Sequence, residues 1–121
     1  MKFALLAAAL LGLSQATSVA VCAPLDNNVV VGSSNTVGGQ RDTVLGNLNN
    51  VYGIGLNVKG DVNNVKGLDS TVIGNYNTLA KGQQTGILGN NNAVSGSFDK
   101  VIGDKNLLVG DYTNILGNEN S

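Results

Sequence analysis

Residues 32–46 read GSSNTVGGQRDTVLG and contain two consecutive copies of a seven-residue unit. Each unit begins with glycine, places a polar residue three positions later and places a branched apolar residue five positions later. The same unit recurs through the rest of the sequence, with one inserted residue near Ala80 and Lys81. Its glycines are Gly32, Gly39, Gly46, Gly53, Gly60, Gly67, Gly74, Gly82, Gly89, Gly96, Gly103, Gly110 and Gly117.

Two further columns of residues follow the same spacing. One column is apolar at all thirteen of its positions: Val30, Val37, Val44, Val51, Val58, Val65, Val72, Leu79, Ile87, Val94, Val101, Leu108 and Ile115. The other is mostly polar and rich in asparagine: Asn35, Asp42, Asn49, Leu56, Asn63, Ser70, Asn77, Thr85, Asn92, Asp99, Asn106, Thr113 and Asn120. The repeat is therefore G-x-x-N-x-V-x.

Three architectures can carry a seven-residue period. A coiled coil needs two apolar positions per heptad, whereas this repeat has one, together with a glycine that costs about 1 kcal/mol in a helix. Disorder agrees with the composition, since eighteen asparagines and sixteen glycines follow residue 20. Disorder gives no reason, however, for a branched apolar residue in strict phase. A β-solenoid accounts for every column.

The predicted fold class is all-β, a parallel β-solenoid (β-roll) over residues 28–121. Side chains of a strand alternate between two faces, so the valine position points inward and its neighbours point outward. Glycine supplies the tight turn, where positive φ or a close approach of the backbone is needed. Asparagine tolerates a left-handed backbone and can bond the next coil in a side-chain ladder. Seven residues cannot close a coil, but fourteen can, as two short strands and two corners, which predicts about six coils.

The unit resembles the xxNxVxG repeat of grass ice-recrystallisation-inhibition (antifreeze) proteins, in segments such as residues 32–39 and 89–96. This resemblance covers residues 28–121 and implies a left-handed β-roll of fourteen-residue coils that interacts with ice. More distantly, the unit is similar to the head repeats of trimeric autotransporter adhesins. Those repeats have serine and alanine where this chain has asparagine and valine. The adhesins also carry a coiled-coil stalk and a membrane anchor that have no counterpart in this sequence.

The first twenty residues predict a signal peptide. Lys2 supplies a basic start, and residues 3–13 form an apolar run too short to span a bilayer. Small residues then permit cleavage after Ala20, or alternatively after Ala16. A buried N-terminal helix is the competing interpretation of the apolar run. Residues 21–27 are predicted to lead loosely into the β-roll, and the protein is expected to be secreted and extracellular.

Residues able to support catalysis are sparse. The chain has no histidine and a single cysteine, Cys22, which excludes an intramolecular disulfide and follows a valine that does not fit a lipid-modification signal. Asp61, Asp104 and Asp111 each follow a glycine and are interpreted as solvated corners. We therefore predict that the protein is not an enzyme and has no catalytic, cofactor-binding or metal-binding residues. This prediction extends to calcium ligands. A formal net charge of -1 favours neither a nucleic acid nor a membrane as partner, and we expect no membrane anchor.

Alternate heptads of such a roll lie on opposite faces, and one face carries an outward apolar column that only Lys59 interrupts. Lys100 lies in the column beside it. A contiguous apolar strip on a secreted protein marks a contact surface. The predicted contact face is Val31, Thr43, Leu45, Thr71, Ile73, Leu88, Ile102 and Leu116. Three occupants remain open: ice, which the repeat favours, a second copy of the chain in a homo-oligomer, or a ligand on an extracellular surface.

Overall fold

Fourteen β-strands make up the regular structure of residues 19–20 and 27–121, the part of the chain that this computed structural model describes. The chain alternates between two seven-stranded sheets, named sheet A and sheet B here. Sheet A contains β1 (Val19–Ala20), β3 (Thr36–Gln40), β5 (Asn50–Ile54), β7 (Asn64–Leu68), β9 (Thr78–Gln83), β11 (Ala93–Ser95) and β13 (Leu107–Val109). Sheet B contains β2 (Val29–Val31), β4 (Thr43–Leu45), β6 (Asn57–Lys59), β8 (Thr71–Ile73), β10 (Gly86–Leu88), β12 (Lys100–Ile102) and β14 (Asn114–Leu116).

Each strand pairs in parallel with the strands of the same sheet in the neighbouring coils. In sheet B, Val30 pairs with Val44, and in sheet A, Val37 pairs with Val51, so one coil separates residues fourteen apart. The fold is a parallel β-solenoid of about 6 turns with about 14 residues per coil. The predicted fold class is confirmed.

The interior is filled by the apolar column of the repeat. In β4, Val44 is fully buried between half-buried Thr43 and Leu45, which is the expected alternation of a strand that faces a core on one side. Burial of one such side chain contributes about 1.5–3 kcal/mol, and the contribution recurs in each half coil. The buried cluster is Val37, Val44, Val51, Leu56, Val58, Val65, Val72, Leu79, Ile87, Val94, Val101 and Leu108, with Val30 and Ile115 packed against it.

The left-handed residue of each corner is the one before the asparagine position. Ser34, Leu48 and Val62 have φ of 57°, 56° and 59°. The corner asparagines therefore do not use their tolerance of a left-handed backbone. Their side chains turn inward to bond neighbouring coils, so the preceding residue makes the bend. Gly46 behaves as predicted, with φ of 134° and no room for a Cβ beside the carbonyl of the next coil.

Asparagine side chains form a ladder along the corner that leads from sheet B to sheet A. The side-chain amide of Asn49 donates to the side-chain oxygen of Asn35 at 3.1 Å, and the Asn49 backbone N–H donates to the same oxygen at 2.9 Å. The amide also donates to the carbonyl of Gly60 at 2.7 Å. This confirms the predicted ladder, whose members are Asn35, Asn49, Asn63, Asn77, Asn92, Asn106 and Asn120.

The opposite corner, from sheet A back to sheet B, carries a mixed set of residues at the equivalent position. Ser70 Oγ accepts from the backbone N–H of Thr85 at 3.1 Å, and Asp99 Oδ1 accepts from the backbone N–H of Thr113 at 2.8 Å. Leu56 has no such acceptor, and its side chain joins the core instead. The residues of this one sequence column thus lie alternately at the two corners of the coil, and only one corner carries a continuous asparagine ladder.

Further contacts between coils are made at the position directly after glycine, outside the asparagine ladder at Asp61 and Asp104 and on the opposite corner at Asp111. The side chains of Asp61, Asp104 and Asp111 accept hydrogen bonds of 2.7 Å from the backbone N–H groups of Asn47, Asn90 and Ser97, respectively. Asp61 and Asp111 are exposed and Asp104 is half-buried, which agrees with the interpretation of these acids as solvated corners. Although they border solvent, each one holds a backbone donor of the preceding coil.

The inserted residue forms a β-bulge in β9. The pairing of β7 with β9 shifts by one residue, so that Ala80 and Lys81 together stand opposite Lys66. Lys81 has φ of 60°, and a bulge of this kind absorbs one residue locally. In sheet B the next pairing, Thr71 with Gly86, continues without a shift. The insertion therefore changes sheet A and leaves sheet B in register.

The N-terminal predictions fall largely outside the described residues. Val19 and Ala20, the last two residues of the predicted signal peptide, form β1 and pair with Thr36 and Val37 of β3. The rest of that peptide, Cys22 and nearly all of segment 21–27 lie outside the described residues. Cleavage after Ala20 stays a prediction.

Candidate contact face

Sheet B presents two outward columns, because each of its strands has three residues and the middle one points inward. The third residues of the strands stack in one column: Val31, Leu45, Lys59, Ile73, Leu88, Ile102 and Leu116. The first residues stack in the other: Val29, Thr43, Asn57, Thr71, Gly86, Lys100 and Asn114. The structure thus brings all eight residues of the predicted contact face onto one side of one sheet.

The apolar column on this face is open to solvent. Leu88 is 49% exposed and Leu116 is 83% exposed, while Leu45 and Ile102 are half-buried. Neighbouring strands lie about 4.7–4.9 Å apart, so the aliphatic groups follow one another at that interval along the sheet. A regular aliphatic row of this kind is available for contact with a flat partner.

The charged groups of this face are two lysines among the residues described. Lys59 lies in the apolar column and Lys100 in the column with the threonines, and both are exposed. Because the strands are so short, each lysine adjoins a corner. The aliphatic part of a lysine can lie along apolar surface while its ammonium group stays in water. The two lysines therefore interrupt the face without removing its aliphatic surface.

Sheet A is less regular. Its strands β3, β5, β7 and β9 run two or three residues longer than those of sheet B and add a third outward column, which contains Ile54, Leu68 and Gln83. This column was not predicted from the sequence. A signal was present, since the residue after glycine is aliphatic or glutamine there, whereas it is serine, asparagine or aspartate at the other corners.

The described residues contain no group of three or more His, Cys, Asp or Glu side chains arranged to hold a metal ion. A search of the same residues finds no helix of sufficient length and apolar character to cross a membrane.

The fold defines the class of the protein as a parallel β-solenoid of short coils. No protein-family model matches the chain. The search of curated proteins likewise finds no match to its sequence.

Proposed function

We propose that this protein is a non-catalytic, secreted ice-binding protein that slows ice recrystallisation through the outward face of sheet B. One observation carries the proposal. The single irregularity of the repeat is absorbed in sheet A, at Lys81, while the strands of sheet B keep their length and register from β2 to β14. A face that must match a lattice needs this regularity, and the opposite face lacks it.

The chemistry of the face supports the same proposal. Aliphatic groups such as Ile73 and Leu88 hold water weakly, so water above them can adopt the order of an adjoining crystal. Thr43 and Thr71 add a hydroxyl beside a methyl group, which can join that ordered layer by hydrogen bonding. The extracellular location of this action rests on the predicted signal peptide.

The proposal is tested by an ice-recrystallisation assay on the purified protein at micromolar concentration. The wild type is expected to keep ice grains small, and Ile73→Lys with Leu88→Lys is expected to abolish the effect. The matched control is Leu107→Lys with Val109→Lys, which adds the same two charges at exposed positions of sheet A. The control is expected to retain activity. Far-UV circular dichroism checks that all three proteins are folded, and a folded wild type whose grains coarsen as in buffer refutes the proposal.

A second candidate is association with another copy of the chain, which the continuous run from Ile73 through Leu88 and Ile102 favours. Charge opposes it, because the outward positions of sheet B carry Lys59 and Lys100 and no carboxylate among the described residues. Two such faces brought together would place four ammonium groups in one interface. Sedimentation velocity over a range of concentrations distinguishes the cases. A dimer that dissociates in the Ile73→Lys with Leu88→Lys variant would support this second function.

A further inference from the structure

An open groove of about 280 Å³ lies on the opposite sheet, sheet A, beside the β-bulge. Its floor is a row of glycines, Gly53, Gly67 and Gly82, at inward positions of three adjacent strands. Outward residues on either side of that row form its walls. Because these positions face inward, the floor of the groove is peptide backbone between two rows of outward side chains.

One wall of the groove is aromatic and basic. It consists of Tyr52, Lys66 and Lys81. The Tyr52 ring lies over Gly38 of the preceding coil, since a Cβ added at Gly38 would approach the ring carbons to 2.7 Å. Tyr52 is 44% exposed, and it borders the groove. The opposite wall contains Leu68 and Gln83.

Lys66 and Lys81 lie on neighbouring strands, and their positive charges are not neutralised by a carboxylate of the described residues. Lys66 lies directly opposite the bulge that contains Lys81, and like charges on facing positions of neighbouring strands destabilise a sheet. In the described residues neither ammonium group has a carboxylate within 4.0 Å, and the ion pair found there joins Lys105 to Glu119 at a corner. None of the described residues that line the groove carries a carboxylate. An anion bound there would relieve the repulsion.

The second lysine exists because of the insertion. The alternation of β9 leaves both Ala80 and Lys81 on the outside, between buried Leu79 and buried Gly82. A regular heptad would have one outward residue at this place. Bulges commonly aim a side chain at a functional site, and here the one departure from the repeat adds a cation beside Lys66.

We propose that this groove binds an acidic polysaccharide built from uronic acid units. The ammonium groups of Lys66 and Lys81 bind the carboxylates through charge-assisted hydrogen bonds. The Tyr52 ring packs against the apolar face of a sugar ring, and Gln83 offers a donor and an acceptor to hydroxyl groups. An extended chain fits the groove because its glycine floor continues from coil to coil. This site is independent of the ice-binding proposal, since it lies on the other sheet.

The test measures binding of polygalacturonate and of its neutral methyl ester to the full chain by calorimetry at low salt. We expect polygalacturonate to bind, and the ester to bind at least about tenfold more weakly. Affinity for the acid is expected to fall as salt is raised, because salt screens the contacts. Absence of polygalacturonate binding overturns the proposal, as does equally tight binding of polyglutamate, a polyanion without sugar rings.

Variants locate the site. Lys66→Ala with Lys81→Ala is expected to weaken binding at least about tenfold, and Tyr52→Ala is expected to weaken it as well. The matched control, Lys59→Ala with Lys100→Ala, removes the same charge from sheet B and is expected to leave affinity unchanged. Equal losses in both double variants would mean attraction by net charge alone. Deletion of Lys81 restores the regular repeat, so a folded deletion variant with full affinity also overturns the assignment.

Discussion

The side-chain amide of Asn92 donates to the side-chain oxygen of Asn77 in the preceding coil at 3.0 Å, and the Asn92 backbone N–H donates to the same oxygen at 3.0 Å. The amide of Asn77 in turn donates to the carbonyl of Gly89 at 2.7 Å. Both asparagines are buried. The Asn77 side chain therefore satisfies one backbone donor and one backbone acceptor of the next coil, at a corner from which water is excluded.

Replacing Asn77 by alanine is expected to lower the free energy of unfolding by about 2–4 kcal/mol, because it leaves several buried polar groups without partners. Asn50→Ala is the matched control. Its amide lies on the outside of sheet A and makes a long contact of 3.5 Å with Asn64. Urea unfolding followed by circular dichroism should show the control within about 0.5 kcal/mol of wild type. Equal effects of the two substitutions would contradict a stabilising role for the buried ladder.

Asp99→Asn is expected to stabilise the fold by about 1–2 kcal/mol. In the described residues the buried Oδ2 of Asp99 has no hydrogen-bond partner. A Cβ added at Gly96 would collide with the carbonyl of Gly110, and it would lie 2.6 Å from Asp99 Oδ2. Asn35 has its amide nitrogen at the equivalent place and donates to Gly46 at 2.6 Å. The amide of an asparagine at position 99 would donate to the carbonyl of Gly110 in the same way. Its side-chain oxygen would still accept the hydrogen bond from the Thr113 N–H.

The control for this substitution is Asp61→Asn, which removes the same charge at an exposed position. Its side-chain oxygen can still accept from Asn47, so the midpoint of urea unfolding should stay close to that of wild type. If Asp61→Asn raises the midpoint as much as Asp99→Asn does, the gain comes from net charge and not from a completed ladder.

The interior of the rod was predictable because each coil imposes the same requirement at the same position. Val44 must fill a core of fixed width, and Asn49 must bond Asn35 fourteen residues earlier. Both requirements appear in the sequence as columns with a seven-residue period. The outward columns of the candidate face follow from the same alternation, so the spacing of the repeat is enough to place Ile73 and Leu88 side by side.

The corners were harder to predict, because their conformation depends on contacts between coils. Ser34 takes up the left-handed backbone because the neighbouring Asn35 reaches the carbonyl of Gly46, eleven residues further along the chain. Propensity alone assigns that conformation to the asparagine. The site of the bulge was visible as a break in spacing. Its consequence, a lysine facing Lys66, required the pairing of β7 with β9.

Val62→Asn is expected to stabilise the protein by about 1 kcal/mol. Val62 has φ of 59° although it is β-branched, and it is 37% exposed, so little packing is lost on replacement. Asn91 occupies the same corner position two coils later, with φ of 55°. Asn91→Val is therefore the reciprocal experiment and should destabilise by a similar amount. Thermal unfolding of both variants measures the difference, and shifts of the same sign would contradict the backbone explanation.

Gly46→Ala is expected to lower the free energy of unfolding by about 4 kcal/mol or more. Gly46 has φ of 134°, and an added Cβ would lie 2.7 Å from the carbonyl carbon of Gly60. The backbone there cannot retreat without breaking the hydrogen bond from the Gly60 N–H to Leu45, which is 2.9 Å long. Gly86→Ala provides the matched control, because among the described residues other than its two chain neighbours no heavy atom lies within 4 Å of a Cβ added there.

The alanine at 86 should stabilise sheet B by about 0.5 kcal/mol, since it restricts the unfolded chain and leaves the native backbone unstrained. Urea unfolding of Gly46→Ala and Gly86→Ala compares a methyl group that collides with the next coil with one that meets open space. A soluble Gly46→Ala protein with the stability of Gly86→Ala would show that the coils can move apart at this corner. The close approach of coils at each glycine would then be a preference of the backbone, not a condition for forming the rod.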